Sequence, residues 1–185
     1  MNYTAYQEYQ ETILNRTYTD AIYDNEEYYH YAKLNITRST RWDKTAEITS
    51  ENQTILGQLS KPLHFILITE PWCGDAAHIV PVIGKIAAGS PLISLDIQLR
   101  DSEPFLIDQY LTNGGKSIPI LIVRDEAGKD LAVWGPRPKG AATLFADLKA
   151  KNANFDDIKT ALQKWYNNDA TLSVQNEIVA LIKNY

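Results

Sequence analysis

Apolar and polar positions alternate along the middle of the chain in a way that predicts strands and helices in turn. The periodicity predicts strands at 63–69, 92–98, 118–124 and 130–134, and helices at 76–88, 104–111 and 141–152. The first strand, the helix after it and the second strand suit a parallel β-α-β unit. The Gly-containing turn at 125–129 predicts that the last two strands form a hairpin.

Both ends of the chain also show helical periodicity. In the N-terminal part, the polar run at 37–40 predicts a break and Thr49 begins another short helix. After the core, segments 155–167 and 171–184 are amphipathic and predict two C-terminal helices. The predicted organisation therefore has three parts: a helical N-terminal extension packed on the main domain (1–60), a core (61–152) and C-terminal helices (153–185).

Tyrosine is concentrated at the N-terminal end, where eight of the eleven tyrosines precede residue 32. So many aromatic rings need a surface to pack on, and their hydroxyl groups need hydrogen-bond partners. Two interpretations stay open. The segment is a helical cap docked on the main domain, or it presents a surface to a protein partner or ligand.

Composition excludes several classes of protein. The net charge of −5 and the lack of any Lys/Arg cluster argue against nucleic-acid binding. The first residues show no basic and apolar signal-peptide pattern, and the apolar runs are too short to span a bilayer. We therefore expect a cytoplasmic protein that binds neither nucleic acid nor membrane. A single cysteine also excludes an intramolecular disulfide.

That cysteine, Cys73, stands at the junction between the first predicted strand and the helix that follows. Free backbone N–H groups and the positive end of a helix dipole favour the thiolate there. Asp75 opposes this by its negative charge, or instead serves as a carboxylate at the helix terminus. His78 lies five residues after Cys73, off its helical face, so a Cys-His pair is not expected. One cysteine and three scattered histidines give no metal-ligand spacing, and we expect neither a metal nor a cofactor.

The segment Trp72-Cys73-Gly74-Asp75-Ala76 resembles the Trp-Cys-x-x-Cys active site of thioredoxins. It is more similar to a bacterial thioredoxin-like family that has Trp-Cys-Gly-Asp followed by Cys or Ala and an extra helical N-terminal segment. Ser117-Ile118-Pro119 matches the loop that carries a cis proline in thioredoxins, and the run 134–138 also looks like this subfamily. The resemblance implies an α/β fold of thioredoxin type, with a mixed sheet flanked by helices.

The resemblance also implies roles for individual residues. Cys73 would be the nucleophile, and a substrate would be held by Trp72, Gly74, Asp75, Ile118 and Pro119. Arg137 either reaches the site, to pair with Asp75 or an anionic substrate group, or fixes its own loop.

Two positions depart from the thioredoxin pattern. Ala76 stands where the resolving cysteine would be, so an external thiol would have to resolve a mixed disulfide. Leu67 stands where thioredoxins place a buried acid. Glu70 is nearer the site, but a carboxylate at a strand end is expected to be solvated.

Three functions remain open from the sequence. The first is monothiol thiol-disulfide exchange with an external resolving thiol, acting on a protein or a low-molecular-weight thiol or disulfide. The second is a non-catalytic binding or adaptor protein of thioredoxin fold. The third is a redox sensor in which Cys73 forms a sulfenic acid or an intermolecular disulfide.

Overall fold

The computed structural model describes all 185 residues. Seven α-helices are present: α1 (Tyr3–Leu14), α2 (Glu26–Thr45), α3 (Ser50–Gly57), α4 (Ala76–Ala88), α5 (Lys139–Ala150), α6 (Phe155–Asp169) and α7 (Leu172–Ile182). The strands are β1 (Leu63–Thr69), β2 (Ile93–Leu99), β3 (Ile120–Arg124) and β4 (Asp130–Trp134). No helix is both long enough and apolar enough to cross a membrane.

The four strands form one mixed sheet in the order β2-β1-β3-β4. β1 pairs with β2 in parallel and with β3 in antiparallel orientation, and β3 and β4 form the hairpin. The predicted α/β architecture, with a parallel unit followed by a hairpin, is therefore confirmed. Strand β3 begins at Ile120 rather than at the predicted residue 118. The preceding Pro119 has no N–H to contribute to a ladder.

Helix α4 is buried over almost its whole circumference, since it packs against the sheet, α2 and α7. Pro81 lies inside this helix and has no N–H, so the carbonyl of Ala77 loses its usual partner four residues on. The Ser39 hydroxyl of α2 donates to that carbonyl at 3.3 Å. The N-terminal extension thus completes the hydrogen bonding of a core helix.

The predicted polar break at 37–40 is wrong, because α2 continues through it to Thr45. The hydroxyls of Thr37 and Thr40 donate to the carbonyls of Lys33 and Ile36, four residues earlier. These back-bonds satisfy the polar side chains without interrupting the helix.

The predicted helix at 104–111 is also wrong, since only one 3-10 turn forms there, at Leu106–Gln109. Phe105 adopts the left-handed conformation, with φ 53°, which prevents an α-helix from continuing from Pro104 through this residue. Tyr110 leaves the helical region at the other end.

None of the eight N-terminal tyrosines is exposed. Tyr6 belongs to the main core, whereas Tyr23 and Tyr29 form a smaller buried cluster with Ile13 and Ile36. These rings pack inside the molecule, which favours the interpretation of the segment as a docked helical cap.

Candidate functional site

Cys73 lies in the turn between β1 and α4, where its N–H donates to the carbonyl of Glu70 at 3.1 Å. Its Sγ–H donates to the carbonyl of Ile118 at 3.4 Å, so the fold brings the cysteine to the proline loop. The Ile118–Pro119 peptide bond is cis. Two segments 45 residues apart in sequence thus meet at the sulfur atom.

The helix terminus and Asp75 act on the Cys73 thiol in the expected directions, but burial, which the sequence did not reveal, outweighs the helix terminus. Burial raises the pKa of the Cys73 thiol to about 12, and the negative charge of Asp75 adds to the rise. Backbone N–H groups of Asp75 and Ala76 lower that pKa but do not compensate for the lost hydration. Cys73 is therefore a neutral thiol at physiological pH.

Asp75 is held by two side chains from distant parts of the chain. Arg137 Nη2 forms an ion pair with its carboxylate at 2.6 Å, and the Tyr166 hydroxyl of α6 donates to it at 2.8 Å. Burial raises the pKa of Asp75, while Arg137 and Tyr166 oppose that rise. Arg137 thus reaches the site. The hydrogen bond from Tyr166 to Asp75 was not predicted, because nothing in the sequence around Tyr166 indicates a contact with Asp75.

Gly135 explains why the loop that carries Arg137 sits against the proline loop. Its φ is +123°, and a Cβ there would lie 2.3 Å from the carbonyl oxygen of Pro119. Only glycine permits this approach of two backbones.

Trp72 is fixed between the N-terminal extension and the loop after β2. Asn35 of α2 donates to its carbonyl at 2.9 Å, and the Tyr28 ring meets the indole edge-on. On the other side, the Arg100 guanidinium lies 4.5 Å from the centre of the indole ring. The half-buried indole therefore contributes as much to joining the extension to the core as to the rim of the site.

His78 is a packing residue held in its neutral form. The Trp42 indole N–H donates to Nδ1 at 2.8 Å, which leaves the ring proton on Nε2, 3.2 Å from Gln163 Oε1. Burial lowers the pKa of His78 to about 4. The hydrogen-bond partners of His78 are thus Trp42 of α2 and Gln163 of α6.

Glu70 corrects another expectation, since its side chain is 2% exposed rather than solvated. Its Oε1 accepts the N–H of Asp101 at 3.1 Å, and Oε2 is buried without a hydrogen-bond partner. Burial raises the pKa of this carboxyl to about 7.

A cavity of about 660 Å³ adjoins the motif. Trp72, Cys73, Gly74 and Asp75 border it, whereas Ile118 and Pro119 do not, although the Ile118 carbonyl contacts the sulfur. Helices α2 and α6 supply two of its walls, and the remaining lining comes from His78 of α4, Arg137 and Phe145 of α5. Sequence reasoning missed these walls, because the helices that form them lie more than thirty residues from Cys73 in one direction and more than eighty in the other.

The side chains around the cavity do not form a metal site. No group of three or more His, Cys, Asp and Glu side chains is arranged to hold a metal ion. The cavity is instead lined by a mixture of aromatic, aliphatic and charged side chains.

Comparisons with known proteins bear on the fold and on the family. No curated protein matches the chain. A crystal structure of a protein of unknown function from Pseudomonas aeruginosa superposes with a TM-score of 0.61 at 17% identity, over 82% of this chain and 85% of the other. The crystal structure of an HIV epitope scaffold superposes with a TM-score of 0.57 at 17% identity, over 84% and 86%. At this identity the two structures establish similarity of fold alone.

A family model described as thioredoxin matches residues 21–149, which is more than half of the chain. The match takes in the whole of α2 as well as the sheet, the motif around Cys73 and the proline loop. The chain belongs to the thioredoxin-like family.

Proposed function

We propose that this protein is a thioredoxin-fold binding protein that takes a small organic molecule into the cavity beside Cys73. The observation that carries the proposal is the cavity itself, whose volume of about 660 Å³ falls in the range of small-molecule sites. Cys73 contributes a neutral thiol to its wall.

The state of the cysteine supports binding over catalysis. A thiol must ionise to attack a disulfide, and the raised pKa of Cys73 leaves few thiolates at neutral pH. Ala76 cannot resolve a mixed disulfide, and Leu67 cannot relay a proton. The neutral thiol, Ala76 and Leu67 each leave out a group that disulfide exchange uses. None of the three impairs the binding of a ligand.

The walls of the cavity support a small ligand over a folded protein partner. Helix α2 stands on one side and α6 on the other, so a ligand enters between two helices. Asn35 fixes the first wall to the motif through the carbonyl of Trp72, and Tyr166 fixes the second through Asp75. A pocket held in this way is formed before its ligand arrives, which lowers the entropic cost of binding.

A pair of glycine variants tests the proposal. A Cβ on Gly74, at the cavity, or on Gly57, at the end of α3, would meet no atom within 4 Å, so both positions have room for a Cβ. A library of small molecules of mixed charge is screened against the protein by ligand-detected NMR. Gly74→Leu is expected to abolish binding of the compounds found, and Gly57→Leu is expected to leave it unchanged. The proposal would be contradicted if the compounds bound Gly74→Leu and the wild type with equal affinity, or if no compound in the library bound.

One observation favours a second candidate function, monothiol thiol-disulfide exchange. Cys73 both borders the cavity and contacts the carbonyl of Ile118. In this reaction the thiol loses its proton to solvent, and the thiolate attacks one sulfur of a disulfide. A mixed disulfide forms and the other half leaves as a thiolate. An external thiol then releases Cys73 and departs as a new disulfide.

The variant Ala76→Cys tests this second function by restoring the missing thiol. If the site is built for exchange, the variant gains dithiol reductase activity toward a small disulfide such as 2-hydroxyethyl disulfide. A variant that folds and gains no activity would argue against disulfide exchange and would favour the binding function.

A further inference from the structure

Most of the charge that faces the cavity is already neutralised within the protein. Asp75 forms an ion pair with Arg137 at 2.6 Å, and Asp156 forms one with Lys159 at 2.8 Å. All four side chains line the cavity. These two pairs leave no carboxylate in the lining without a cationic partner.

Arg38 of α2 is the remaining charge in the lining. It has no carboxylate within ion-pair distance, and its single hydrogen bond runs from Nη1 to Asn35 Oδ1 at 3.0 Å. Burial and the neighbouring Arg41 lower its pKa, although an arginine remains charged at any ordinary pH. The lining thus carries one unneutralised positive charge in a protein whose net charge is −5.

The Arg38 guanidinium is also held in position. Asn35 accepts from Arg38 through Oδ1 and donates through Nδ2 to the carbonyl of Trp72 at 2.9 Å. Asn35 is buried and Arg38 is half-buried. The unused N–H groups of the guanidinium can bind both oxygens of a carboxylate in the parallel geometry that arginine favours.

The rest of the lining is suited to an apolar body. Leu34 of α2 and Phe155 of α6 are large apolar side chains that line the cavity and are exposed to solvent. Phe145, Ile158 and Leu162 add further apolar surface. A ligand that covers these groups removes apolar area from water, which favours binding.

We propose, resting on the binding function above, that the ligand is an organic acid. Its carboxylate binds the Arg38 guanidinium, and its apolar or aromatic body packs between α2 and α6. Charge, geometry and apolar lining all favour an amphipathic monoanion over a neutral or cationic molecule of the same shape.

Three matched probes test this ligand class by calorimetric titration of the full chain: 4-phenylbutyrate, 4-phenylbutanol and 4-phenylbutylamine. The acid is expected to bind at least tenfold more tightly than the alcohol, and the amine most weakly. Arg38→Gln is expected to remove the advantage of the acid and to leave the affinity for the alcohol within twofold. Arg38→Lys keeps the positive charge and is expected to retain part of the preference.

Arg41→Gln is the matched control. Arg41 lies on the same helix, is exposed, does not line the cavity and bonds to Asn167. The variant loses the same charge and is expected to bind all three probes as the wild type does. An equal loss of acid affinity in the two glutamine variants would show that the preference comes from overall charge, and it would overturn the assignment to Arg38.

The experiment separates this inference from the function on which it rests. Equal affinity for acid and alcohol, with both lost in Gly74→Leu, overturns the organic-acid assignment and leaves the binding function intact. Failure of 4-phenylbutyrate to bind at millimolar concentration also overturns the assignment. In that case the NMR library screen with Gly74→Leu and Gly57→Leu still tests the binding function.

Discussion

Single residues decide the chemistry of this site through their burial. Cys73 and Glu70 have lost most of the hydration that would stabilise their charged forms. Neither burial is encoded in the local sequence. Tyr6 of α1 lies near both side chains, and Asn35 of α2 and Tyr166 of α6 bond to Trp72 and Asp75, on either side of Cys73.

Alkylation of Cys73 by iodoacetamide reports the state of the thiol directly, because the chain contains no other cysteine. The rate is expected to rise about tenfold for each pH unit and to show no plateau below pH 10, since burial raises the pKa of Cys73 to about 12. Urea-unfolded protein is expected to react with the ordinary thiol pKa of about 8.5. A plateau below that value in the folded protein would contradict the neutral thiol and restore exchange chemistry.

Glu70 is expected to make stability fall as pH rises. Its pKa is about 7 in the folded protein against an ordinary value of 4.5, so the folded state holds its proton more tightly. The free energy of unfolding therefore decreases between about pH 4.5 and pH 7. At pH 8, Glu70→Gln is expected to stabilise the protein by up to about 3 kcal/mol, as measured by urea unfolding.

His78 acts in the opposite direction over much of the same range. Its pKa is about 4 when folded against 6.5 when free, so the unfolded state binds more protons and stability rises with pH up to about 6.5. Glu70→Gln is thus expected to leave a clear increase of stability from pH 4 to pH 6.5. Glu126→Gln, at an exposed turn position, serves as the control. A Glu70→Gln profile parallel to that of the control would contradict the buried-carboxyl account.

Helix α2 acts as a structural element through three side chains that bond to α4 and to the turn before it. Asn35 donates to the carbonyl of Trp72, Ser39 to that of Ala77, and Trp42 to the His78 ring. All three are on one face of α2, and that face continues into the cavity wall. The same helix therefore supports the core helix and shapes the site.

Ser39 donates to the Ala77 carbonyl, which Pro81 leaves without a backbone donor. The effects of substitutions at positions 39 and 81 on the free energy of unfolding are therefore expected to be non-additive. Ser39→Ala leaves the buried Ala77 carbonyl without a donor and is expected to cost about 1–3 kcal/mol. Pro81→Ala supplies a backbone N–H for that carbonyl, so in its background Ser39→Ala is expected to cost less than about 0.5 kcal/mol. Chemical unfolding of the four proteins measures the difference. Thr40→Ala, which loses only a back-bond on an exposed face, is the control. Additive losses would show that Ser39 does not compensate for Pro81.

At the scale of the whole molecule, the extension and the thioredoxin-like core share one folded structure. Tyr6 of α1 belongs to the main core cluster, and the terminal amino group of Met1 pairs with Asp96 of β2 at 2.6 Å. At the other end, the Tyr185 carbonyl accepts from Ser60 just before β1. Met1 is thus attached to the sheet, and Tyr185 to the segment that leads into β1.

These attachments predict a single cooperative unfolding transition. Fluorescence reports on all four tryptophans, of which Trp42 lies in the extension and Trp72 at its contact with the motif, whereas far-UV circular dichroism reports on all the helices. The two signals are expected to give the same urea midpoint. A separate, earlier step in the fluorescence would mean that the cap unfolds on its own and that the cavity loses its wall before the core unfolds.

Much of this molecule follows from the sequence alone. Period and turn chemistry predicted β1 at 63–69, α4 at 76–88 and β4 at 130–134 with the bounds that the structure shows. A strand or helix that is buried on one face or on both has a characteristic spacing of apolar residues, and that spacing can be recognised in the sequence without knowledge of the fold. The motif at Cys73 and the proline loop likewise indicate the family from sequence alone.

Tertiary structure decided the rest, because the deciding interactions join residues far apart in sequence. The pKa of Cys73 depends on what covers it, the cavity depends on α6 facing α2, and the role of Ser39 depends on a proline 42 positions later. The sequence determined that a thiol stands at a helix terminus in a thioredoxin-like fold. Only the packed structure determined that this thiol is neutral and borders a ligand-sized cavity with one unpaired arginine, since burial and charge compensation are properties of the assembled chain.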